Sequence, residues 1–504
     1  MHVGEMDSRP SPSVIRDVGQ LVFPCFQFGR DDPKRALAWT ELGVGGFCLY
    51  HGSPREVADL AARLQARARA PLLFCGDYED GVASHCPGAT SLPSNMGLGA
   101  AGRDDLARLK AEVTAAEARA MGVRWVLAPV VDLAVEPSNP IVNVRSFGSD
   151  PALVTRLARA YLSGLRRGGV LGCLKHFPGH GRTRKDSHLE LPLLEASRKI
   201  LEREDLVPYR RLAQAADSVM LGHLAVPSLG GGREPFTLAP AARRLLRGRL
   251  GFKGLVSTDA LDMRAISRHY DETDAAMRAL RAGADVLLVP RDPARLIAGL
   301  RDVLACDPRA RALAAESLRR LRRAKKQAGL WRGDPGPDRR RLAAVGGRSH
   351  QAVAQRLFEA CLAWSSAPAL LRGRRLCYGE PGVGNRQWRG RAFVAELRRL
   401  GARVRPADGH CRAGEFLVLG SFMRPRAYSG RIGLDPATLA EARRLLSGAP
   451  EQVVAAFGSP FVVSDLRPVR GLCAFSASDG AQRAAARALW GAIPVTGRMP
   501  VRVA

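Results

Sequence analysis

Eight short apolar runs recur between residues 20 and 290, and most are followed by a segment of helical period. They are QLVFPCF (20–26), GGFCLY (45–50), PLLFCGD (71–77), RWVLAPV (124–130), LGCLKHF (171–177), SVMLGHL (218–224), GLVSTDA (254–260) and ADVLLVP (284–290). Between them, segments such as REVADLAARLQARA and RDDLARLKAEVTAAEARAMG place apolar residues at i, i+3, i+4 and i+7, one face of a helix. Each run is apolar throughout instead of alternating, as a strand covered on both faces must be. Eight such strands alternating with helices over roughly 300 residues is the arithmetic of a (β/α)8 barrel. A doubly wound open sheet is the competing arrangement, but no glycine-rich fingerprint follows an early strand.

Two helical segments, RLIAGLRDVLA and ALAAESLRRLRRAKKQAGL, follow Asp292 and close the barrel. WRGDPGPDRRR (331–341) then reads as a linker rich in proline, glycine and charge. Further apolar runs, FLVLGSF (416–422), QVVAAFGSP (452–460) and GLCAFSAS (471–478), interleave with helices such as ATLAEARRLLSG and DGAQRAAARALWG. The expected fold is α/β: an N-terminal (β/α)8 TIM-type barrel over residues 1–330, a linker over 331–350, and a smaller three-layer α/β sandwich domain over 351–504. The second domain offers no acid, base or metal cluster in its sequence, so a structural or substrate-covering role is expected of it.

The formal charge of +29, from 77 Lys and Arg against 48 Asp and Glu, raises the question of a nucleic-acid partner. The arginines are spread along helix-like segments, and no run interleaves basic and aromatic residues. The one dense block, RRLRRAKK (Arg319–Lys326), reads as the outer face of an amphipathic helix. A solvated basic surface is therefore expected, with no nucleic-acid site, though an anionic small substrate suits it. The ten cysteines contain no CxxC pair and several sit in apolar runs, which favours a reducing, cytoplasmic compartment. The N-terminus MHVGEMDSRPSPSVIRD has no apolar signal core, and no 18-residue apolar stretch occurs, so neither export nor membrane spanning is expected.

In a barrel of this type the C-terminal strand ends carry the active-site mouth. Reading those ends gives Asp77, Asp132, Lys175 with His176, His223 and Asp259. The fifth strand runs directly into LKHFPGHGRTRKDSHLELP (174–192), where Pro178, Gly179 and Gly181 describe a long loop able to swing over that mouth. Residues two apart in an extended loop project to the same side, so Asp186 can accept a hydrogen bond from His188 Nδ1, the support a general acid/base histidine needs. Asp259, on the barrel itself, has the placement of a fixed carboxylate nucleophile for retaining glycoside hydrolysis. Pairing it with a neutral imidazole avoids the repulsion between two carboxylates.

Simpler roles compete with these. His176, His180, His188 and Asp186 have metal-ligating side chains, yet the first histidine sits on a strand end with glycines between, unlike the helical pair of zinc hydrolases, and no metal is expected. His180 suits the loop backbone better than chemistry. Asp259 also has the chemistry of an N-cap for ALDMRAI. His223 is either a pocket residue or a satisfied core histidine, and Asp132 serves equally as a turn or cap residue.

KHFPGHG followed by DSH, with STDALDM after it and NVRSFG before it, resembles glycoside hydrolase family 3, and within it the β-N-acetylhexosaminidase branch that releases N-acetylglucosamine from peptidoglycan fragments. The resemblance covers most of residues 15–330; FGSPF and VTGRMPVRV resemble the family's C-terminal domain less specifically. It implies Asp259 as nucleophile and His188, paired with Asp186, as acid/base. It implies Lys175, His176 and Arg145 as holders of sugar hydroxyls and the acetamido group, and Asp77 as the aspartate of the Asp-x-Glu-Gly-Gly segment; His223 joins this expected substrate-binding set. β-Glucosidases of the family take their acid/base from elsewhere and lack the D-S-H loop. One departure stands out: DYEDGVASH places Asp80 where glycine is usual and His85 near an expected arginine, altering the wall beside Asp77.

The implied activity is that of a cofactor-free, retaining exo-β-N-acetylglucosaminidase in cell-wall recycling, acting on a GlcNAc-containing muropeptide or disaccharide. Another family 3 β-glycosidase (glucosidase or xylosidase), a metal-dependent TIM-barrel hydrolase and a sugar-binding protein without turnover remain as alternatives. Phosphate in place of water as acceptor is also compatible with the sequence.

Overall fold

The computed structural model describes residues 13–331, 335–382, 388–407, 410–425, 428–467 and 469–503. The first 12 residues, read above for an export signal, and residues 332–334 of the linker lie outside them.

All eight expected runs contain strands. They are β1 (Val22–Phe23), continued past Pro24 by β2 (Cys25–Gln27), then β3 (Gly46–Tyr50), β4 (Leu73–Gly76), β5 (Val123–Val126), β6 (Cys173–Phe177), β7 (Ser218–Leu221), β8 (Leu255–Thr258) and β9 (Leu287–Leu288). Every neighbour pairs in parallel: β2 with β3, β3 with β4, β4 with β5, β6 with β7, β7 with β8. Bridges at Trp125–Leu171, Val130–Lys175 and Ser257–Val286 join the remaining edges, and β9 returns to β1. The ring closes, so no open sheet edge is left, and the continuous apolar runs are explained by helices outside and packed side chains inside. Inside, buried Trp125 stacks edge-on against Phe23 and satisfies its indole N–H on Ser218 Oγ at 2.8 Å.

Helices start where the sequence supplies caps. Ser53 and Glu56 form a capping box for Pro54–Arg67, and Asp150, Asp292 and Asp307 cap Pro151–Arg167, Pro293–Cys306 and Pro308–Gln327. The basic block falls on the last of these. Arg319, Arg322, Arg323 and Lys326 are exposed as expected, but Lys325 is buried, with Nζ 2.7 Å from Gln20 Oε1.

The second domain is a six-stranded sheet: β10 (Ala363–Trp364), β11 (Arg375–Gly379), β12 (Arg403–Pro406), β13 (Glu415–Ser421), β14 (Gln452–Ala456) and β15 (Gly471–Cys473). The spatial order is β10-β15-β14-β13-β11-β12, parallel except for β10. Alternate residues feed two cores, Leu376, Val418 and Val453 on one face, Cys377, Leu417 and Val454 on the other, which makes three layers. Apolar runs in the sequence mark β13, β14 and β15 but not β10, β11 or β12. β10 is only two residues long, and β11 and β12 begin on arginines, so an apolar-run criterion passes over them.

The second domain is stitched to the barrel. Arg498 N–H donates to Ala100 O (2.9 Å) and Ser149 N–H to Pro500 O (3.1 Å), while Met96, Ala100 and Val144 of the barrel join the core of one sheet face. The segment read as a linker is not free chain. It carries the helix Arg339–Leu342 and the start of Arg348–Ala360, and buried Glu117 of the barrel accepts from Gly346 N (2.9 Å) and His350 Nδ1 (2.8 Å).

Candidate active site

The C-terminal strand ends open into a cavity of about 920 Å³ lined by Asp77, Glu79, Arg145, Lys175, His176, His188 and Asp259. Its floor is a charge cluster. Lys175, midway along β6, is buried and sends Nζ to Asp77 Oδ1 (2.6 Å) and Glu79 Oε1 (2.7 Å). Arg145 grips Glu79 with two parallel bonds of 2.8 Å, and Tyr50 Oη donates to Asp77 Oδ2 at 2.6 Å. Burial alone would discharge Lys175, but Asp77 and Glu79 raise its pKa above the ordinary lysine value. Burial likewise works against Glu79, and Arg145 and Lys175 hold it well below the ordinary range. Glu79 was not among the expected site residues. Its signal was available: it is a second carboxylate two residues beyond Asp77, in the same segment after β4.

Asp132, left open between turn and cap, organises the loop after β6. Its carboxylate accepts from His176 N, His176 Nδ1 (2.7 Å) and His180 N (2.7 Å). Bonding through Nδ1 leaves His176 Nε2 toward the cavity, 3.5 Å from Arg145 Nη2. The loop then packs tightly against the barrel. A Cβ on Gly181 would lie 1.8 Å from Leu133 O, so only glycine permits this approach. His180 is buried, with Nδ1 at Thr183 Oγ1 (2.6 Å) and Nε2 at Ser187 Oγ (3.0 Å), and Asn139 Nδ2 donates to the carbonyls of His180 and Thr183. The loop expected to swing is pinned in this structure, and its His180 braces it.

Beyond that brace, His188 Nδ1 lies 2.8 Å from Asp186 Oδ1, with the backbone N–H of His188 donating to the same oxygen at 2.9 Å. Asp186 is buried, which raises its pKa, but the bonds from His188 and the Gly430 N–H lower it overall. Tyr428, from the second domain, sets its ring 4.9 Å from the His188 ring.

Asp259 follows β8 and lines the cavity; its Oδ1 accepts from Ala260 N at 2.8 Å. The next helix is Arg264–Ser267 with Met263 at its N-cap, so Asp259 caps no helix. Burial raises its pKa, but His176, His223 and His188, with the Ala260 N–H, bring it down to about 2. It is a permanent anion at neutral pH.

His223 corrects the expected substrate-binding set. It is fully buried, with Nδ1 on Thr237 Oγ1 and Nε2 on Ala260 O, both at 3.0 Å, and it is not among the cavity's lining residues. It props the segment that carries Asp259 from behind. At the departure from the family pattern, His85 lines the cavity and packs on Tyr50 with ring centroids 4.8 Å apart; burial lowers its pKa. The second domain, expected from its sequence to offer no acid, base or metal cluster, brings ligand atoms of Cys377, Cys411 and Glu415 within 4.8 Å of one another. Glu415 is already gripped there by Arg405.

Residues 16–324, more than half of the chain, match the sequence profile described as the glycosyl hydrolase family 3 N terminal domain. The chain belongs to glycosyl hydrolase family 3. Among curated relatives it is similar to β-hexosaminidase LpqI of Mycobacterium tuberculosis, 39% identical over 274 residues covering 51% of this chain and 69% of that protein. β-Hexosaminidase A of Pseudoalteromonas piscicida is 32% identical over 284 residues; the alignment covers 51% of this chain and 48% of that one, so the chain spans about half that relative's length. A solved family 3 structure, the β-N-acetylglucosaminidase from a Paenibacillus species, superposes with a TM-score of 0.82 at 30% identity, covering 97% of this chain and 98% of that one. The similarity therefore extends through both domains.

Proposed function

We propose that this family 3 protein is a retaining exo-β-N-acetylglucosaminidase with Asp259 as nucleophile and His188 as acid/base. The observation that carries this is the pairing of two unlike groups on one cavity: a carboxylate held ionised by surrounding histidines, and an imidazole whose far nitrogen is fixed by Asp186. In the first step Asp259 attacks C1 of the sugar, the glycosidic C1–O bond breaks, and His188 Nε2 gives its proton to the leaving oxygen. In the second, His188 takes a proton from water as its oxygen bonds C1 and the C1–Asp259 ester breaks. Both steps conserve protons, and the imidazolium formed in the second is ready for the next first step. Asp77, Glu79, Arg145, Lys175 and His176 present a fixed mixture of donors and acceptors to the sugar.

The β-hexosaminidase names of relatives at 32–39% identity support N-acetylglucosamine as the sugar, and a peptidoglycan-type aglycone in a reducing cytoplasm extends the same reading. Turnover of an aryl β-N-acetylglucosaminide against the matching aryl β-glucoside tests it. Preference for the acetamido sugar is expected; equal turnover, or preference for the glucoside, would move the assignment to another β-glycosidase.

A further inference from the structure

Lys110, on the helix Asp104–Ala120 outside the strand ring, has no side-chain exposure. Its ammonium lies by Asn95 Oδ1 at 2.9 Å, the face of Tyr161 at 5.7 Å, and Asp80 Oδ1 at 3.9 Å. Of these only Asp80 carries a negative charge, and a buried ammonium without an anion is costly. Asp80 therefore belongs to a built pair. The backbone there asks for no special residue: it is Gly81 that adopts the left-handed φ of +82°.

The other oxygen of Asp80 faces the second domain. Arg424 Nη2 lies 3.6 Å from Asp80 Oδ2, and both residues line the cavity. Tyr428 and Gly430, four and six positions further along, meet the acid/base pair: Tyr428 covers the His188 ring, and Gly430 N–H donates to Asp186 Oδ2 at 3.4 Å. The segment is fixed behind Arg424 by Ser459 N–H donating to Met423 O at 2.7 Å. Asn95, which holds Lys110, also donates to Arg145 O at 2.8 Å, so the charge pair is continuous with the floor of the cavity.

We propose that the Asp80–Arg424 pair, backed by Lys110, is a clasp between the barrel and the second domain that holds Tyr428 and Gly430 on the Asp186–His188 pair and thereby positions it. Arg424 is a positioning residue, acting through Tyr428 and Gly430. The clasp rests on the assignment of His188 as acid/base only for its catalytic consequence; the docking itself is independent of what the protein turns over.

The test uses the full chain with Arg424→Ala, and with the double variant Asp80→Asn/Lys110→Met, which removes the clasp without stranding a buried charge. Backbone hydrogen exchange over residues 186–190 reads the docking directly and should rise about tenfold or more in both. Unchanged exchange in both overturns the clasp. On aryl β-N-acetylglucosaminides, kcat for a poor leaving group should fall about tenfold while an activated one is nearly spared, because only the former needs a well-placed acid. Arg424→Lys should recover part of the loss. Faster exchange with equal losses on both substrates would leave a structural latch and overturn the positioning role. His188→Ala in parallel separates the two failures: if it shows no leaving-group dependence, the acid/base assignment falls, and exchange still decides the clasp.

Discussion

His176 Nδ1 lies 2.7 Å from Asp132 Oδ2, and the same carboxylate takes the backbone N–H groups of His176 and His180. One buried anion thus sets the orientation of a cavity histidine and the path of the loop that carries His188. Burial raises the pKa of Asp132, and the His176 side chain lowers it below the ordinary value, so it is held ionised. Asp132→Asn keeps the shape and loses an acceptor for at least one of the three donors. Breaking a buried charged network of this kind costs about 3–5 kcal/mol. Chemical denaturation should register that loss, and kcat/KM should fall by about a hundredfold through the displaced loop.

Asp259→Asn should lower turnover by roughly four orders of magnitude, the scale on which loss of a nucleophile is felt. The pH dependence follows from the depressed pKa. With a folded value of about 2 against an ordinary 3.8, the carboxylate is anionic everywhere above the acid extreme. The ratio of wild-type to variant rates should therefore stay constant between roughly pH 4 and 8. A ratio that shrinks toward acid would mean that Asp259 is taking up its proton in this range.

His188→Ala should discriminate between leaving groups. Poor leaving groups should lose about 10²- to 10⁴-fold and activated aryl groups far less, since they depart with little protonation. Asp186→Asn should fall between wild type and His188→Ala, because Nδ1 loses its anionic partner while the imidazole stays. A plot of log kcat against leaving-group pKa checks both, and equal slopes for wild type and His188→Ala would contradict the acid role.

Lys325 supplies a prediction away from the site. Burial, with Arg322 nearby, lowers its pKa from 10.5 to about 7, and its Nζ has the neutral partner Gln20. Between those two pH values the unfolded chain binds the extra proton, so this residue makes stability rise with pH across that window. Below pH 7 the folded chain must carry the buried ammonium at full cost. Lys325→Met should therefore be more stable than wild type at about pH 6, by on the order of a few kcal/mol, with the advantage shrinking toward pH 10. Urea midpoints at both pH values read the difference.

The barrel was legible because each strand is buried on both faces, and burial on both faces writes itself into the sequence as an unbroken apolar run. Asp259, Lys175, His176 and the Asp186–His188 spacing were legible for a related reason: strand ends and extended loops place side chains by short-range geometry. Where neighbours come from far along the chain, the sequence was silent. Nothing local separates His223, which turned inward onto Thr237 and Ala260, from His176, which faces the cavity. Asp132 could be assigned only once the loop 44 residues away was folded onto it. Arg424 and Tyr428 sit in a domain that looked inert, more than 200 residues from the groups they meet, and only packing of one domain on the other brings them to the mouth. Hydrophobic periodicity fixes which elements form and which way their ends point; which polar groups then meet is decided by the closed ring and the second domain laid against it.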